Sequence, residues 1–517
     1  MTATAHRHAT FATIVLGLTL AACSATTTAA STVDTHEAAS DYEWAAADEV
    51  AITLADGAST GGPGVTVDGD TITITAAGTY RLSGTLRDGQ VVVDSADEGV
   101  VRLVLDGVSI TSSTTSALAA LDAGKLVLIL ADGSDNTLAD AATYVYPNAD
   151  VDEPNAALYS AADLSIAGDG ALTVRGAFND AIASKDGLVI AGGTIAVTAA
   201  DDGIRGKDDL VVRGGTITVD AGGDALKADN ADDASLGVIV IDGGRFDLTA
   251  GEDAVDAVSS LVVNGGSLAI AAGDDALHAD VRLEIHGGTI DVSRSYEGIE
   301  ATQIVLTGGD IDIVSEDDGL NVAGGNDGSA QQGPGGFGGP GGGGPGGETA
   351  VDGYVVEMSG GTLVIDAGGD GFDSNGDATV TGGTIVVNGP TANNNGALDV
   401  NGELLVSDAV LLAAGSAGMA EAPDAASAQA YVNLQFNATQ AAGTVVTIRS
   451  SDGAAVATFV ASKPFQSLVL SAPGLVSGAS YEVVVGGTVT GESTGGLYLG
   501  LDASGGTSVG SVTAVAG

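Results

Sequence analysis

Apolar and polar residues alternate in short segments through the middle of the chain, which is typical of β-strands with one buried face. Residues 194–198 and 216–220 are two such segments, and a Gly-Gly pair stands directly before each. Eight pairs of this kind begin at positions 192, 214, 243, 265, 287, 308, 360 and 382, at intervals of 22, 29, 22, 22, 21, 52 and 22 residues. A further short apolar strand, such as residues 188–190, precedes each pair.

Strands this short cannot bury their apolar faces alone, so the repeating units must stack on one another. Stacking with parallel pairing, at about 4.8 Å between strands, builds one continuous core. The sequence therefore predicts an all-β protein, a right-handed parallel β-helix with about 22 residues per coil, whose hand follows from general strand chirality. The longer intervals indicate insertions, around residues 229–233 and in the Gly/Pro-rich segment 324–347.

Regions on either side of the repeat differ from it. Residues 48–165 contain strand patterns without the regular interval, and we expect an N-terminal cap and irregular first coils there. The regular β-helix is predicted over residues 166–403. Residues 404–517 are predicted to form a small antiparallel β unit, because 445–449 and 455–460 are two strand patterns separated by a Ser-Asp-Gly turn.

Every regular unit also carries an acidic residue followed by Gly or Ala and then an apolar residue. Their spacing follows the Gly-Gly series, so the sequence predicts that these acids form one column along the β-helix. The column consists of Asp180, Asp202, Asp224, Asp253, Asp275, Glu297, Asp318 and Asp370.

Stacked carboxylates would repel one another by roughly 3 to 4 kcal/mol per neighbouring pair at an effective dielectric constant near 20. A calcium ion between coils would remove that repulsion, because its bonds to oxygen are about half the strand spacing. Asp256, Glu300 and Asp373, three residues after their acids, offer further oxygen ligands. The alternative is a solvated acidic turn repeated with the unit. His278 and His286 occupy different positions in the unit, so no transition-metal site is expected.

Basic residues are scarce, with 16 Lys plus Arg against 68 Asp plus Glu. Four of them cluster beside the acidic column: Lys185, Lys207, Arg205 and Lys227. We predict that they contact carbohydrate. Two other roles stay open, namely counter-charge for the acids and catalysis as the base of a lyase.

The net charge of −52 argues against nucleic acid as a partner, because binding it requires clustered cations. The 80 glycines occur without a collagen period, and the ten prolines do not suggest a disordered Pro-rich chain. A monomer is expected.

The first 23 residues have the parts of a secretory signal: Arg7 between two histidines, an apolar run over residues 9–20, and then Leu-Ala-Ala-Cys. That ending resembles the bacterial lipobox, which predicts a lipoprotein-type signal peptide (1–23), lipidation of Cys23 and a tether over 24–47. The alternative is an ordinary signal peptide that contains a cysteine. With its lipid anchor, the body would lie on the extracellular face of the cell membrane.

Several longer stretches resemble a family of bacterial extracellular proteins named for a carbohydrate-binding domain. These stretches are residues 78–86, 101–108, 153–160, 179–195, 201–208 and 418–420. The resemblance implies a right-handed β-helix similar to that of polysaccharide lyases, an association with calcium, and binding of plant cell-wall polysaccharide without lyase activity.

Together these features favour a calcium-dependent, non-catalytic polysaccharide-binding protein on the cell surface. An acidic glycan is favoured, because calcium can bridge protein and sugar carboxylates. Two alternatives remain: a polysaccharide lyase like pectate lyase, and a structural surface scaffold or adhesin.

Overall fold

Three ladders of parallel strands dominate the structure, a computed structural model that describes residues 35–148, 150–324 and 349–516. Two short 3-10 helices, Ala39–Tyr42 and Ala46–Asp48, come first. Nine strands follow them: β1 (Glu49–Ala55), β2 (Val65–Asp68), β3 (Thr71–Ile74), β4 (Gly78–Leu86), β5 (Gln90–Asp94), β6 (Val100–Thr111), β7 (Leu118–Asp122), β8 (Lys125–Leu130) and β9 (Asp135–Ala139).

The central part of the chain supplies the strands that stack in the ladders. They are β10 (Ala156–Ser160), β11 (Leu164–Gly168), β12 (Ala171–Gly176), β13 (Asp180–Ser184), β14 (Gly187–Ile190), β15 (Thr194–Ala199), β16 (Ile204–Gly206), β17 (Asp209–Val212), β18 (Thr216–Ala221), β19 (Leu226–Ala228), β20 (Val238–Ile241), β21 (Arg245–Ala250), β22 (Val255–Ala257), β23 (Ser260–Val263), β24 (Ser267–Ala271), β25 (Leu277–Ile285), β26 (Thr289–Arg294), β27 (Ile299–Leu306), β28 (Asp310–Ser315), β29 (Leu320–Val322), β30 (Val355–Met358), β31 (Thr362–Ala367), β32 (Phe372–Ser374), β33 (Asp377–Val380), β34 (Thr384–Asn388), β35 (Leu398–Val400), β36 (Leu404–Val406) and β37 (Val410–Gly415).

Each coil contributes one strand to each ladder. The first ladder runs through β10, β13, β16, β19 and β22 and continues through the first parts of β25 and β27 to β29, β32 and β35. The second contains β11, β14, β17 and β20, and the third β12, β15, β18 and β21. This all-β arrangement, with mostly parallel strands, is consistent with the predicted β-helix.

Register between coils follows the repeat of the sequence. Thr194 pairs with Thr216, and Thr216 pairs with Arg245 across the longer interval. In the N-terminal coils, paired residues lie further apart in the sequence, since Leu103 pairs with Leu128 and Leu128 with Ile166. At the other end, parallel pairing continues past residue 404, because β36 and β37 pair with β33 and β34.

The inward side chains of the three ladders form one apolar core. In β18, Ile217 and Val219 are buried whereas Thr218 and Asp220 are exposed, as the alternating pattern predicts. Equivalent residues of successive coils join a cluster that extends from Ile52 to Ala413. Tight corners depend on glycine: Gly215, just before β18, has a φ of 110°, which residues with a Cβ rarely adopt.

The C-terminal part is antiparallel. Its strands are β38 (Tyr431–Gln440), β39 (Val445–Arg449), β40 (Ala455–Val460), β41 (Phe465–Ser471), β42 (Ser480–Val485), β43 (Leu497–Leu499) and β44 (Thr507–Thr513). β41 pairs with β37 of the last coil and with β38, and the other five form a separate sheet in the order β43-β40-β39-β42-β44.

The start of the described chain packs against the first coils. Lys125 donates to the carbonyl of His36 and forms an ion pair of 2.8 Å with Asp41. Arg102 donates to the carbonyls of Ser40 and Asp41. Residues 35–47, which are the described part of the predicted tether, therefore hold many polar contacts to the body.

Some predictions fall on residues for which the structure gives no description. These are the signal peptide with Cys23, the first part of the tether, and the Gly/Pro-rich insertion beyond residue 324. Across the described ranges, no helix has both the length and the hydrophobicity needed to cross a bilayer.

Candidate functional site

The predicted acidic column lies just before the strands of the first ladder. Ile182 pairs with Ile204, and Leu226 pairs with Val255. An acid of the predicted column stands two residues before each of these four residues. The same register holds further along, where Leu277 pairs with Ile299, Ile299 with Leu320, and Leu320 with Phe372. All eight acids therefore occupy equivalent positions in successive coils.

Hydrogen bonds between coils connect these acids. The backbone N–H of Asp224 donates to Asp202 Oδ1 at 3.1 Å, that of Asp253 to Asp224 Oδ1 at 2.8 Å, and that of Asp275 to Asp253 Oδ1 at 2.8 Å. The backbone N–H of Asp370 donates in the same way to Asp318 Oδ1, at 2.5 Å. One carboxylate oxygen thus satisfies a backbone donor of the next coil, and the other oxygen is left for a counter-ion.

Burial of the column acids disfavours their charged forms. Asp180 is 1% exposed, Asp224 2% and Asp275 5%. Burial raises the pKa of Asp180 to about 6 despite Arg205. It raises the pKa of Asp253 to about 8, with Asp224 adding to the shift. In the absence of a cation, the fully ionised column is therefore unfavourable at neutral pH.

A second column lies three residues after the acids, on the outward side of the same strands. Arg205 pairs in register with Lys227, Lys227 with Asp256, Asp256 with His278, and His278 with Glu300. The column then continues through Asn321, Asp373 and Asp399. Its charge therefore changes from positive in the early coils to negative in the later ones.

Two of the predicted carbohydrate ligands, Arg205 and Lys227, contact acids of the predicted column. Arg205 donates to both oxygens of Asp229, at 3.0 and 2.7 Å, and lies 3.7 Å from Asp180. Lys227 contacts Asp224 at 2.5 Å and Asp202 at 3.6 Å. Burial alone would lower the pKa of Lys227, but these carboxylates raise it above its usual value. Both residues thus provide counter-charge, which was one of the roles left open.

The other two predicted ligands, Lys185 and Lys207, line a shallow cavity of about 210 Å³ together with Arg205, Glu153 and Tyr159. Lys185 is paired with Glu153 at 2.5 Å, and the hydroxyl of Tyr159 donates to the same carboxylate at 2.9 Å. A larger cavity of about 320 Å³ adjoins it and shares Glu153 and Tyr159. The structure thus brings Lys185, Lys207 and Arg205 together and places Lys227 apart, in a more acidic cavity.

Acids and a histidine converge in the middle coils. Three groups have possible ligand atoms within 4.8 Å of one another: Asp253 with Asp256 and His278, Asp275 with His278 and Glu300, and Asp253 with Asp274 and Asp275. These residues could hold a metal ion. The sequence analysis expected no transition-metal site at His278, although it lies three residues after Asp275, the position that Asp256 and Glu300 occupy in their coils.

The later coils present oxygen ligands only at the equivalent positions. Asn321 donates from Nδ2 to Glu297 Oε2 at 2.8 Å, and its buried Oδ1 has no hydrogen-bond partner. Asp318 lies in the same coil, and Asp370 and Asp373 lie in the next one. Glu421 was not among the predicted acids: it accepts from the N–H of Val400, and burial raises the pKa of Glu421 to about 7.

One Ser-His-Asp contact lies elsewhere. His36 Nε2 is 3.0 Å from Ser165 Oγ, and His36 Nδ1 is 3.3 Å from Asp163. Ser165 has no exposed surface, so in this conformation a substrate cannot reach its hydroxyl. We interpret the contact as part of the packing of residues 35–47.

Comparisons with known proteins support the resemblance seen in the motifs. Residues 68–324 match the model of a family described as carbohydrate-binding domain-containing protein. A protein of that description from Acetivibrio thermocellus is 42% identical over 136 residues, which are 26% of this chain and 48% of the relative. The chain thus spans about half the length of that curated relative. A solved structure of a polysaccharide lyase-like protein from C. thermocellum is 34% identical and covers 46% of this chain and 96% of its own, with a TM-score of 0.45.

Proposed function

Because residues 68–324 match the model of a family described as carbohydrate-binding domain-containing protein, we propose that the chain is a non-catalytic polysaccharide-binding protein. The binding surface in this proposal is the outward side of the first ladder. Its polysaccharide is acidic, such as a polyuronate of plant cell walls, and its cation is calcium.

The outward column of the first ladder is the observation that carries this proposal. It places one side chain per coil in a straight row, running from Arg205 and Lys227 to the acids of the later coils. Cavities of about 320, 210 and 530 Å³ lie along the same side. A linear polymer can contact such a row repeatedly, and Lys185 and Lys207 would contact its carboxylates at the basic end.

Calcium fits the coils in which only oxygen ligands occur. Glu297, Asn321, Asp318 and Asp373 offer carboxylate or amide oxygens at adjacent strands. The unpartnered Oδ1 of Asn321 is an oxygen that a cation would satisfy. A Ca²⁺ ion takes six to eight oxygen ligands, so it can hold a sugar carboxylate in addition to those of the protein.

We place the protein on the extracellular face of the membrane, held by a lipid on Cys23. The support is the Leu-Ala-Ala-Cys sequence after an apolar run. The Cys23→Ala variant should be released into the medium or retained with an uncleaved leader, and mass spectrometry of the mature N-terminus would check this.

A binding role is favoured over a lyase because the basic residues nearest the acids are engaged. A lyase base must release its ion pair before it can take a proton from the sugar. Arg205 is held by Asp229 and Asp180, and Lys227 by Asp224 and Asp202.

The test is sedimentation of the protein with insoluble calcium polygalacturonate and with cellulose, with calcium or with EDTA. We expect retention on the acidic polymer in calcium and release by EDTA. Lys185→Gln and Lys207→Gln should each weaken retention by roughly three- to tenfold. Lys463→Gln, which removes a lysine paired with Asp366 in the C-terminal part, is the matched control and should have no effect.

Two outcomes would contradict the proposal. Accumulation of unsaturated sugar products, detected by their ultraviolet absorbance, would show a lyase. Equal behaviour of the wild type and both lysine variants, with no retention on either polymer, would leave a structural scaffold.

A further inference from the structure

One coil of the second column differs chemically from its neighbours. His278 offers a ring nitrogen where Asp256 and Glu300, its register partners, offer carboxylate oxygens. The coils after Glu300 continue with Asn321 and Asp373, which also offer oxygen. Calcium coordinates oxygen, whereas imidazole suits zinc and related metals. The position of His278 is therefore distinct from the oxygen positions assigned above to calcium.

The surroundings of His278 are buried and acidic. Its exposed fraction is 7%, and those of Asp275 and Glu300 are 5% and 2%. Possible ligand atoms of these three residues lie within 4.8 Å of one another. A small shift of side chains would bring them to the spacing of ligands around one ion, since bonds from zinc to nitrogen or oxygen are about 2.0 to 2.2 Å.

Asp275 supplies an independent reason for a cation at this place. Its Oδ1 is buried and has no hydrogen-bond partner. Its carboxyl group also lies beside that of Glu300, with one oxygen of each within 4.8 Å of the other. A buried, unpartnered carboxylate oxygen is costly, and two adjacent buried carboxyl groups need a proton or a cation between them. A divalent ion would satisfy both groups and the histidine.

The orientation of the ring supports this role. His278 Nδ1 is 3.0 Å from Asp256 Oδ1, and an N–H at Nδ1 would donate to it. Histidines that bind metals commonly donate their other N–H to a carboxylate, which fixes the ring and increases its basicity. Asp256 would thus act as the orienting residue.

We propose that His278, Asp275 and Glu300 form a site for a divalent first-row transition metal ion of the Zn²⁺ type, with Asp256 holding the imidazole. The site does not depend on polysaccharide binding. Solvent reaches its rim through a cavity of about 530 Å³, lined by Asp253, Asp256 and His278 among others. Asp253 and Asp274 at this rim would attract the ion.

The experiment measures Zn²⁺ binding by calorimetry and Co²⁺ binding by its visible absorption, with calcium present throughout. All samples lack residues 1–23, the proposed signal peptide and lipidated cysteine, so that His6, His8 and Cys23 cannot bind the added metal. We expect a Co²⁺ band in the parent protein. His278→Gln should weaken Zn²⁺ binding at least about tenfold and abolish the band.

His286→Gln is the matched control. His286 contacts Glu284 at 3.0 Å and Thr307 at 2.8 Å and belongs to none of the three groups of possible metal ligands. This variant should bind Zn²⁺ within about twofold of the parent, and Ca²⁺ affinity should change less than threefold in both histidine variants. Unchanged Zn²⁺ and Co²⁺ binding in His278→Gln, or equal loss in both histidine variants, would overturn the proposal.

A second variant keeps the test decisive if His278→Gln does not fold. Asp275→Asn keeps the shape of the side chain and removes its charge, and it should also weaken Zn²⁺ binding at least about tenfold. Circular dichroism in EDTA monitors the fold of each variant. If the folded Asp275→Asn variant binds Zn²⁺ as the parent does, the assignment of Asp275 and of the site is wrong.

Discussion

Buried carboxyl groups are the residues whose behaviour depends most on their surroundings in this protein. Asp209, on the second ladder, shows this outside the candidate site: its Oδ1 is buried without a hydrogen-bond partner. Burial raises the pKa of Asp209 to about 7, and the neighbouring Asp163 and Asp208 add to the shift. A carboxyl group with a raised pKa stabilises the fold in its protonated form and loses this contribution as the pH rises towards 7.

Replacing Asp209 by Asn should therefore stabilise the protein at high pH. We expect the free energy of unfolding to rise by about 1 to 2 kcal/mol at pH 8 and to change little near pH 3, where the group is protonated in the folded state and largely so in the unfolded state. Urea unfolding at the two pH values measures this. Asp220→Asn, at an exposed position on β18, is the control, and an equal gain at both pH values would contradict the explanation.

At the scale of the residue, the sequence predicted which acids share a column but not what they do there. The intervals of 22 and 29 residues were sufficient for the alignment of Asp202, Asp224 and Asp253. They could not show that one oxygen of each accepts the N–H of the next acid, since that bond depends on how closely two coils approach. The grouping of His278 with acids was not predictable for a related reason, because those acids belong partly to other coils.

At the scale of the element, neighbouring coils pack backbone against backbone at some of their turns. Gly273 lies where a Cβ would come within 2.0 Å of the carbonyl oxygen of Gly251 in the preceding coil. Gly251 is placed in the same way over Gly222, at 2.1 Å. These glycines are required by the close approach of neighbouring coils. By contrast, a Cβ at Gly214 would have no heavy atom within 4 Å.

Alanine substitutions should separate these two kinds of glycine. Gly273→Ala should lower the free energy of unfolding by about 2 to 4 kcal/mol, because a backbone atom must move. Gly214→Ala should change it by less than about 1 kcal/mol, and a small gain is expected from the less flexible unfolded chain. Denaturant unfolding of both variants gives the comparison, and similar values for the two would show that the coil spacing adapts.

The strand pattern of the coils was predictable because inward and outward residues alternate strictly in segments such as β18. The contacts that residues 35–47 make with the first coils were not predictable, because that segment has no periodic pattern. Its attachment depends on Lys125 and Arg102, which the alternating pattern does not distinguish from other surface residues.

At the scale of the whole molecule, the net charge of −52 opposes the compact state, and most of the column acids are buried within it. Cations that bind only the folded chain must therefore stabilise it. For one site, the gain is about 2.7 kcal/mol when the free ion is at a hundred times its dissociation constant.

We expect the midpoint of thermal unfolding to rise with added calcium at pH 8 and to fall with EDTA. Potassium chloride at equal ionic strength is the control for simple screening of surface charge. The Asp318→Asn and Asp370→Asn double variant, which keeps acceptor oxygens but removes two charges, should show a smaller rise. An identical unfolding midpoint in chelator and in calcium would argue against bound ions.

The coils on either side of the longest connection, which follows Asn321, stay in register. Asn321 and Asp373 pair in register although 52 residues separate them, whereas most neighbouring coils are separated by 22. The flanking strands thus keep their register across this longer connection. A peptide tag or a fluorescent protein could be introduced there to report where the molecule resides on a living cell.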